Sequence, residues 1–227
     1  MSVWAIVPVK PLNRAKSRLA TVLSPEMREA LSTAMLRHTI ASLAECRFVS
    51  GILVISRDNR ALVIAREYGA RTVQESGAPA LNAALERASQ VIASWSAQAS
   101  LVLPADLPLL DVSDIQEMAH LGRFHQSAVV VPDREGTGTN GLLLRPPNLF
   151  PISFGVGSFE RHVTAAETAG ATVHVFRSER LMLDLDMPDD LLAYLDLCTK
   201  YGVEPLVDLA IQDLIPSTTA SQEEKTQ

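Results

Sequence analysis

The stretch from Ala99 to Asp111, ASLVLPADLPLLD, constrains the chain more than any other. Leu101-Val102-Leu103 is an unbroken apolar run that Pro104 ends, and one carboxylate, Asp106, then stands between Pro104 and Pro108. An apolar run without alternation suits a strand buried on both faces, the habit of parallel sheets covered by helices. Ligands of such sheets gather beyond the carboxyl ends of the strands, so Asp106 is a candidate site residue. A turn Asp is the plainer account of it.

The rest of the chain repeats the pattern. Val3 to Val9, Gly51 to Ser56 and Ala128 to Val131 read as further core strands, and Arg71 to Val73 as a short one. Helices fall between them. Ser24-Pro25-Glu26 reads as an N-cap with Pro at the first helical position, opening a helix to about Glu45 with Met27, Leu31, Met35 and Leu36 on its apolar face. Asp58 suits the cap of a helix through Tyr68, which Gly69 stops. Ala80 to Trp95 and Ser113 to about Gly122 are the next two. Strand, helix, strand, helix predicts an α/β fold with a mostly parallel sheet.

After Pro132 the texture changes. Two glycine loops, EGTGTNG (135–141) and FGVGSF (154–159), flank a strand at Leu142 to Leu144. Ser158 is expected to cap a helix reaching about Gly170, followed by a strand at Thr172 to Phe176. Leu181 to Met187, LMLDLDM, reads as an alternating strand before a helix opened by Pro188. With 47% hydrophobic residues in 227, a full core is available, and no linker or repeat appears. One domain is expected over residues 1–203, with an extension over 204–227 that is disordered from about 216.

The formal net charge of −6 argues against a nucleic-acid coat. No apolar run approaches the ~20 residues that span a bilayer, so no membrane partner is expected. Cys46 and Cys198 read as buried free thiols. Together with an N-terminus lacking a secretory pattern, they point to the cytoplasm. The five histidines show no metal-ligand spacing.

Four constellations could carry chemistry. Lys10, Arg14, Lys16 and Arg18 crowd the loop after the first strand, where cations suit polyphosphate and a solvated loop is the alternative. Neither GxGxxG nor GxxxxGK[ST] occurs, which argues against dinucleotide and P-loop enzymes. Asp184 and Asp186, separated by Leu185, share one face of an extended segment. Converging carboxylates repel, and a divalent cation is the usual relief; a strand end with Asp186 capping the last helix is the alternative. The glycine loops offer backbone N–H groups and the hydroxyls of Thr137, Thr139 and Ser158 for an anion, or serve as plain turns. Asn82 either caps its helix or contacts a sugar or base.

The motifs VPVKPLNRAKSRL, LNAAL, LPADLPLL, DREGTGTNGLLL, FGVGSF and LDLDMPDDL occur together and in order over roughly residues 3 to 200. In this the chain resembles the 2-phospho-L-lactate or phosphoenolpyruvate guanylyltransferases of deazaflavin coenzyme F-420 biosynthesis. The resemblance implies a single-domain nucleotidyltransferase similar to GT-A glycosyltransferases, with a mostly parallel mixed central sheet flanked by helices. It implies one or two Mg²⁺ on Asp106, Asp184 and Asp186. Lys10 and Lys16, with Asp106, match catalytic positions. Lys16, Arg18 and Asn82 fall to the nucleotide, and Thr139, Gly155 and Ser158 to the acceptor. The implied partners are GTP, a three-carbon phosphoacid and a downstream deazaflavin transferase. A homodimer stays open, as do a nucleotidyltransferase of sugar-phosphate or molybdenum-cofactor type and a non-catalytic nucleotide-binding protein.

Overall fold

The structure, a computed structural model, describes residues 2–76 and 80–208. The expected disorder beyond about residue 216 lies outside them, as does Pro79.

Seven strands form one sheet in the order β3-β2-β1-β4-β6-β5-β7. They are β1 (Val3–Val9), β2 (Val49–Ser56), β3 (Arg71–Gln74), β4 (Ala99–Val102), β5 (Ser127–Pro132), β6 (Thr139–Arg145) and β7 (Thr172–Val175). Only β6 runs antiparallel, to both β4 and β5. The fold class is therefore α/β with a mostly parallel mixed sheet. The sequence pattern located every strand of the sheet to within two or three residues at each end. Thr139, expected in a glycine loop, instead opens β6, where it pairs with Pro132 across a register shift.

The helices are α1 (Pro25–Glu45), α2 (Asn59–Glu67), α3 (Leu81–Ser94), α4 (Val112–Leu121), α5 (Ser158–Thr168), α6 (Glu179–Met182) and α7 (Pro188–Tyr201). Ser24 caps α1 by accepting from the Met27 N–H, and Asp58 caps α2 by accepting from the Arg60 N–H. Leu31, Met35, Leu36, Ile40 and Leu43 of α1 are buried. Each such side chain contributes about 1.5–3 kcal/mol of burial.

Alternation along β1 sends Val3, Ala5, Val7 and Val9 into a core under α1, α2 and α4, and Ile6 into a second core under α3 and α5. A third cluster joins Leu19, Leu31 and Leu109 to Leu183, Leu185 and Leu191. It clamps three separate loops together at one end of the sheet. Both cysteines are buried and free. Among the described residues no helix is long and apolar enough to cross a membrane.

Two sequence expectations are corrected. Leu181 to Met187 is not a strand. Its start forms the single turn α6, and 183–186 runs extended against the turn after β4, with Leu185 N–H reaching the Asp106 carbonyl at 3.4 Å. The sheet has no free edge there, because its edges are β3 and β7. Ser158 does not cap α5. Gly157, in the left-handed conformation at φ 72°, holds that position, and the Ser158 side chain turns inward.

Candidate active site

The third core cluster dictates the site. Leu183 and Leu185 are buried, so the intervening Asp184 and the following Asp186 point the other way, as the alternation predicted. Pro104 ends β4 and turns Asp106 toward them. One oxygen from each of Asp106, Asp184 and Asp186 lies within 4.8 Å of the others.

Lys16 enters this cluster from the loop after β1. Its ammonium donates to Asp106 Oδ2 at 2.8 Å and to Asp186 Oδ1 at 2.9 Å. The residue is held at φ 57°, ψ 36°, a left-handed conformation that costs a non-glycine residue about 1–2 kcal/mol. The next turn, Ser17–Thr21, anchors through Leu19. Burial alone would lower the Lys16 pKa, but Asp106 and Asp186 outweigh it and hold the ammonium charged. Reciprocally, Asp186 is kept below the usual carboxylate range, since Lys16, Lys10 and Arg18 overcome its burial. Arg18, well exposed, stands 3.9 Å from Asp186.

Asp184 feels the Lys16 charge only weakly and makes no direct ion pair among the described residues. Burial, then the Asp106 charge, push it up to about 6, although the Asn140 amide opposes the rise. Asn140 donates to Asp184 Oδ1 at 3.2 Å and to the carbonyls of Leu181 and Met182 at 3.1 Å. It thus orients the carboxylate and fixes the chain before it. Sequence reasoning passed over Asn140; an amide side chain just before Gly141, at the end of the EGTGTNG run, was the available signal. Asp190 does similar work by accepting from the Asp186 and Met187 N–H groups.

A cleft of about 240 Å³ opens beside the carboxylates, lined by Arg18, Asp133, Arg134, Asp184, Asp186 and Asp190. A larger groove of about 530 Å³ on α1 shares none of these residues. The clustered carboxylates fit a divalent cation: three hard oxygen donors converge, one of them is hard to ionise alone, and a lysine ammonium sits between the other two.

The two glycine loops form one unit. Asp133 accepts from the Thr137 and Gly138 N–H groups at 2.8 and 2.7 Å. A Cβ on Gly138 would lie 2.3 Å from Asp133 Oδ2, so any larger residue there displaces this carboxylate. The Phe159 N–H donates to the Thr137 carbonyl at 3.2 Å, and Ser158 Oγ meets Thr139 Oγ1 at 3.1 Å. Gly155, exposed at φ 118°, lies on the same turn. Asn82 does not cap α3. Its amide grips the backbone of Phe154, accepting at 2.8 Å and donating at 3.1 Å. The sequence also missed His162, which is fully buried and bonded to Thr139.

A mostly parallel sheet thus presents three carboxylates and a buried lysine from the loops at one end. The structure overlays on a cytidylyltransferase from Leptospira borgpetersenii with a TM-score of 0.58 at 16% identity, covering 98% of this chain and 100% of that one, which bears on the fold. Residues 3–212 match the family described as "Guanylyl transferase CofC like". A phosphoenolpyruvate guanylyltransferase of Rubrobacter xylanophilus is 43% identical over 84% of this chain and 92% of its own length. A 2-phospho-L-lactate guanylyltransferase of Methanothermobacter thermautotrophicus is 37% identical over 84% and 87%. The chain belongs to the CofC-like guanylyl transferase family, and is an enzyme of the nucleotidyltransferase type.

Proposed function

We propose that the protein transfers GMP from GTP to a three-carbon phosphoacid, namely phosphoenolpyruvate, 2-phospho-L-lactate or 3-phospho-D-glycerate, releasing pyrophosphate in the cytoplasm. The product, a guanosine-diphosphate-linked acid, is consumed by a downstream deazaflavin transferase of coenzyme F-420 biosynthesis. The observation that carries this reading is the Asp106–Asp184–Asp186 cluster around the Lys16 ammonium, set beside two joined glycine loops. Relatives named phosphoenolpyruvate guanylyltransferase and 2-phospho-L-lactate guanylyltransferase support a guanylyl donor and the first two acids.

The acceptor phosphate oxygen attacks the α-phosphorus of GTP in line. One P–O bond forms, the bond to the β-phosphate bridging oxygen breaks, and pyrophosphate leaves. A phosphate monoester has a second pKa of about 6, so the nucleophile is ionised at neutral pH and needs no strong base. The obstacle is repulsion, about 4 kcal/mol per pair of unit charges at ~4 Å and an effective dielectric of ~20. One or two Mg²⁺ held by Asp106, Asp184 and Asp186 would supply charge neutralisation of the triphosphate. Lys16, Lys10 and Arg18 add cationic charge from the loop after β1. Asn82 sets the backbone of the acceptor loop through Phe154, and from that position borders the nucleotide. Thr139, Gly155 and Ser158 bind the acceptor's phosphate and carboxylate.

The test is pyrophosphate release with each common nucleoside triphosphate against each of the three acids and a sugar phosphate. GTP with one of the acids is the expected productive pair. Turnover of a sugar phosphate instead would refute the acceptor class, and nucleotide binding with no release under any pairing would leave a binding protein.

A further inference from the structure

We infer that His162 is a positioning residue whose fixed tautomer frees one hydroxyl hydrogen of the Thr139–Ser158 pair to bind an anionic oxygen of the acceptor. The inference rests on the proposed acceptor site and names what arms it.

The argument starts from a backbone amide. The Ser153 N–H meets His162 Nε2 at 3.1 Å. An amide N–H can only donate, so Nε2 must carry its lone pair. The imidazole proton then resides on Nδ1, which meets Thr139 Oγ1 at 3.0 Å and donates to it. The ring is fully buried, and burial followed by the Arg161 charge pushes its pKa down to about 4, which keeps it neutral.

Counting hydrogens gives the consequence. Thr139 and Ser158 own two hydroxyl hydrogens, and the contact between them at 3.1 Å uses one. Because Nδ1 donates, it takes neither. Among the described residues neither hydroxyl has another hydrogen-bonded acceptor, so the pair keeps one donor in hand. With the opposite tautomer Nδ1 would accept that hydrogen, and the pair would have nothing left to offer. Thr139 opens β6 and Ser158 opens α5, and the Phe159 N–H ties to the Thr137 carbonyl, so the spare donor stands where the two glycine loops join. A spare hydroxyl donor in a buried setting suits a phosphate or carboxylate oxygen.

The tautomer is protected on every side. Arg161 pins Ser153, donating from Nε to Oγ at 2.9 Å and from Nη2 to the carbonyl at 3.1 Å. Asn82 grips the adjoining Phe154 backbone, and the Phe154 ring meets His162 edge-on with centroids 5.1 Å apart. The amide that sets the ring therefore cannot easily turn away.

Three variants separate positioning from support. His162→Leu removes both bonds. His162→Asn places an amide N–H near the Nδ1 position, and His162→Gln reaches instead toward Nε2. In His162→Leu the pair keeps its hydrogens but loses the donor that holds Thr139 Oγ1 in place, so the spare hydrogen is no longer aimed and a rise in the acceptor KM of about 10-fold is expected. The GTP KM is expected within about twofold of wild type on the same scale, and His162→Asn but not His162→Gln is expected to recover the acceptor KM. Nitrogen-15 correlation spectra of the wild-type histidines should show the Nδ1–H form for His162. An Nε2–H signal, an unmoved acceptor KM in folded His162→Leu, or equal recovery by Asn and Gln overturns the inference alone. A wild type that turns over none of the acids overturns the acceptor site itself, and the inference with it.

Discussion

Replacing Lys16 by Met should destabilise the protein in the absence of divalent cations, and adding them should restore it. The ammonium lies 2.8 Å from Asp106 and 2.9 Å from Asp186. Taking charge centres at ~4 Å and an effective dielectric of ~20, each pair is worth about 4 kcal/mol before desolvation. Asp186 is 37% exposed, so its share is screened to about half. The gross loss is then about 6 kcal/mol, offset by the several kcal/mol no longer needed to bury an ammonium. A net loss of about 2–4 kcal/mol is expected, since three carboxylate oxygens remain within 4.8 Å with no cation among them. Met keeps the stem and the left-handed backbone, so shape is not the variable. The assay is urea denaturation at pH 8, where Asp184, pushed up to about 6, is ionised. It is run in EDTA and then in millimolar Mg²⁺ or Mn²⁺. Ligand at ~100 Kd adds about 2.7 kcal/mol, so the variant should regain most of its deficit. A variant as stable as wild type in EDTA, or one indifferent to the cation, would refute the view that Lys16 neutralises this cluster.

Three further outcomes follow from the same geometry. Arg180→Met should cost about 2–3 kcal/mol by urea denaturation, because it takes the cation at 2.8 Å from the buried Asp114 carboxylate and leaves it the Ser178 hydroxyl and the Asp111 N–H; a loss under ~0.5 kcal/mol would contradict this. Acidification should destabilise the protein through His162. Neutral in both states above about pH 6.5, it is protonated first in the unfolded chain, so about 3 kcal/mol is lost between there and its folded value of about 4. His162→Asn should lack that slope, and parallel pH curves would sink the assignment. Gly138→Ala should displace the Asp133 carboxylate that its Cβ would meet at 2.3 Å, and should raise the acceptor KM by a larger factor than the GTP KM; equal changes would count against it.

Much of this was legible in the chain because the signals were local. Apolar runs, broken in β1 only by Pro8, marked β1, β2, β4 and β5, and Ser24 and Asp58 capped the helices expected of them. The Asp-Leu-Asp alternation placed two carboxylates on one side even though no strand formed, because Leu183 and Leu185 are held by the core whether or not a ladder exists. What was not legible is long-range. Asn140 orients Asp184 from 44 positions away, and Lys16 reaches Asp186 from 170 away. Ser158 has the residue type of a cap, but its hydroxyl serves Thr139 on another element. Asn82 grips Phe154 from 72 positions away instead of capping its own helix. His162 looked like one of five unremarked histidines until the fold placed an amide on one nitrogen and a hydroxyl at the other.

The central claim is that the three aspartates act on the phosphates of a nucleotide. It is tested most directly by pyrophosphate release from GTP with phosphoenolpyruvate, 2-phospho-L-lactate or 3-phospho-D-glycerate, comparing wild type with Asp106→Asn at saturating Mg²⁺. Losing several kcal/mol of transition-state charge stabilisation predicts a fall in turnover of about 100-fold or more in a variant whose circular dichroism shows it folded. Turnover within about twofold of wild type would contradict the account.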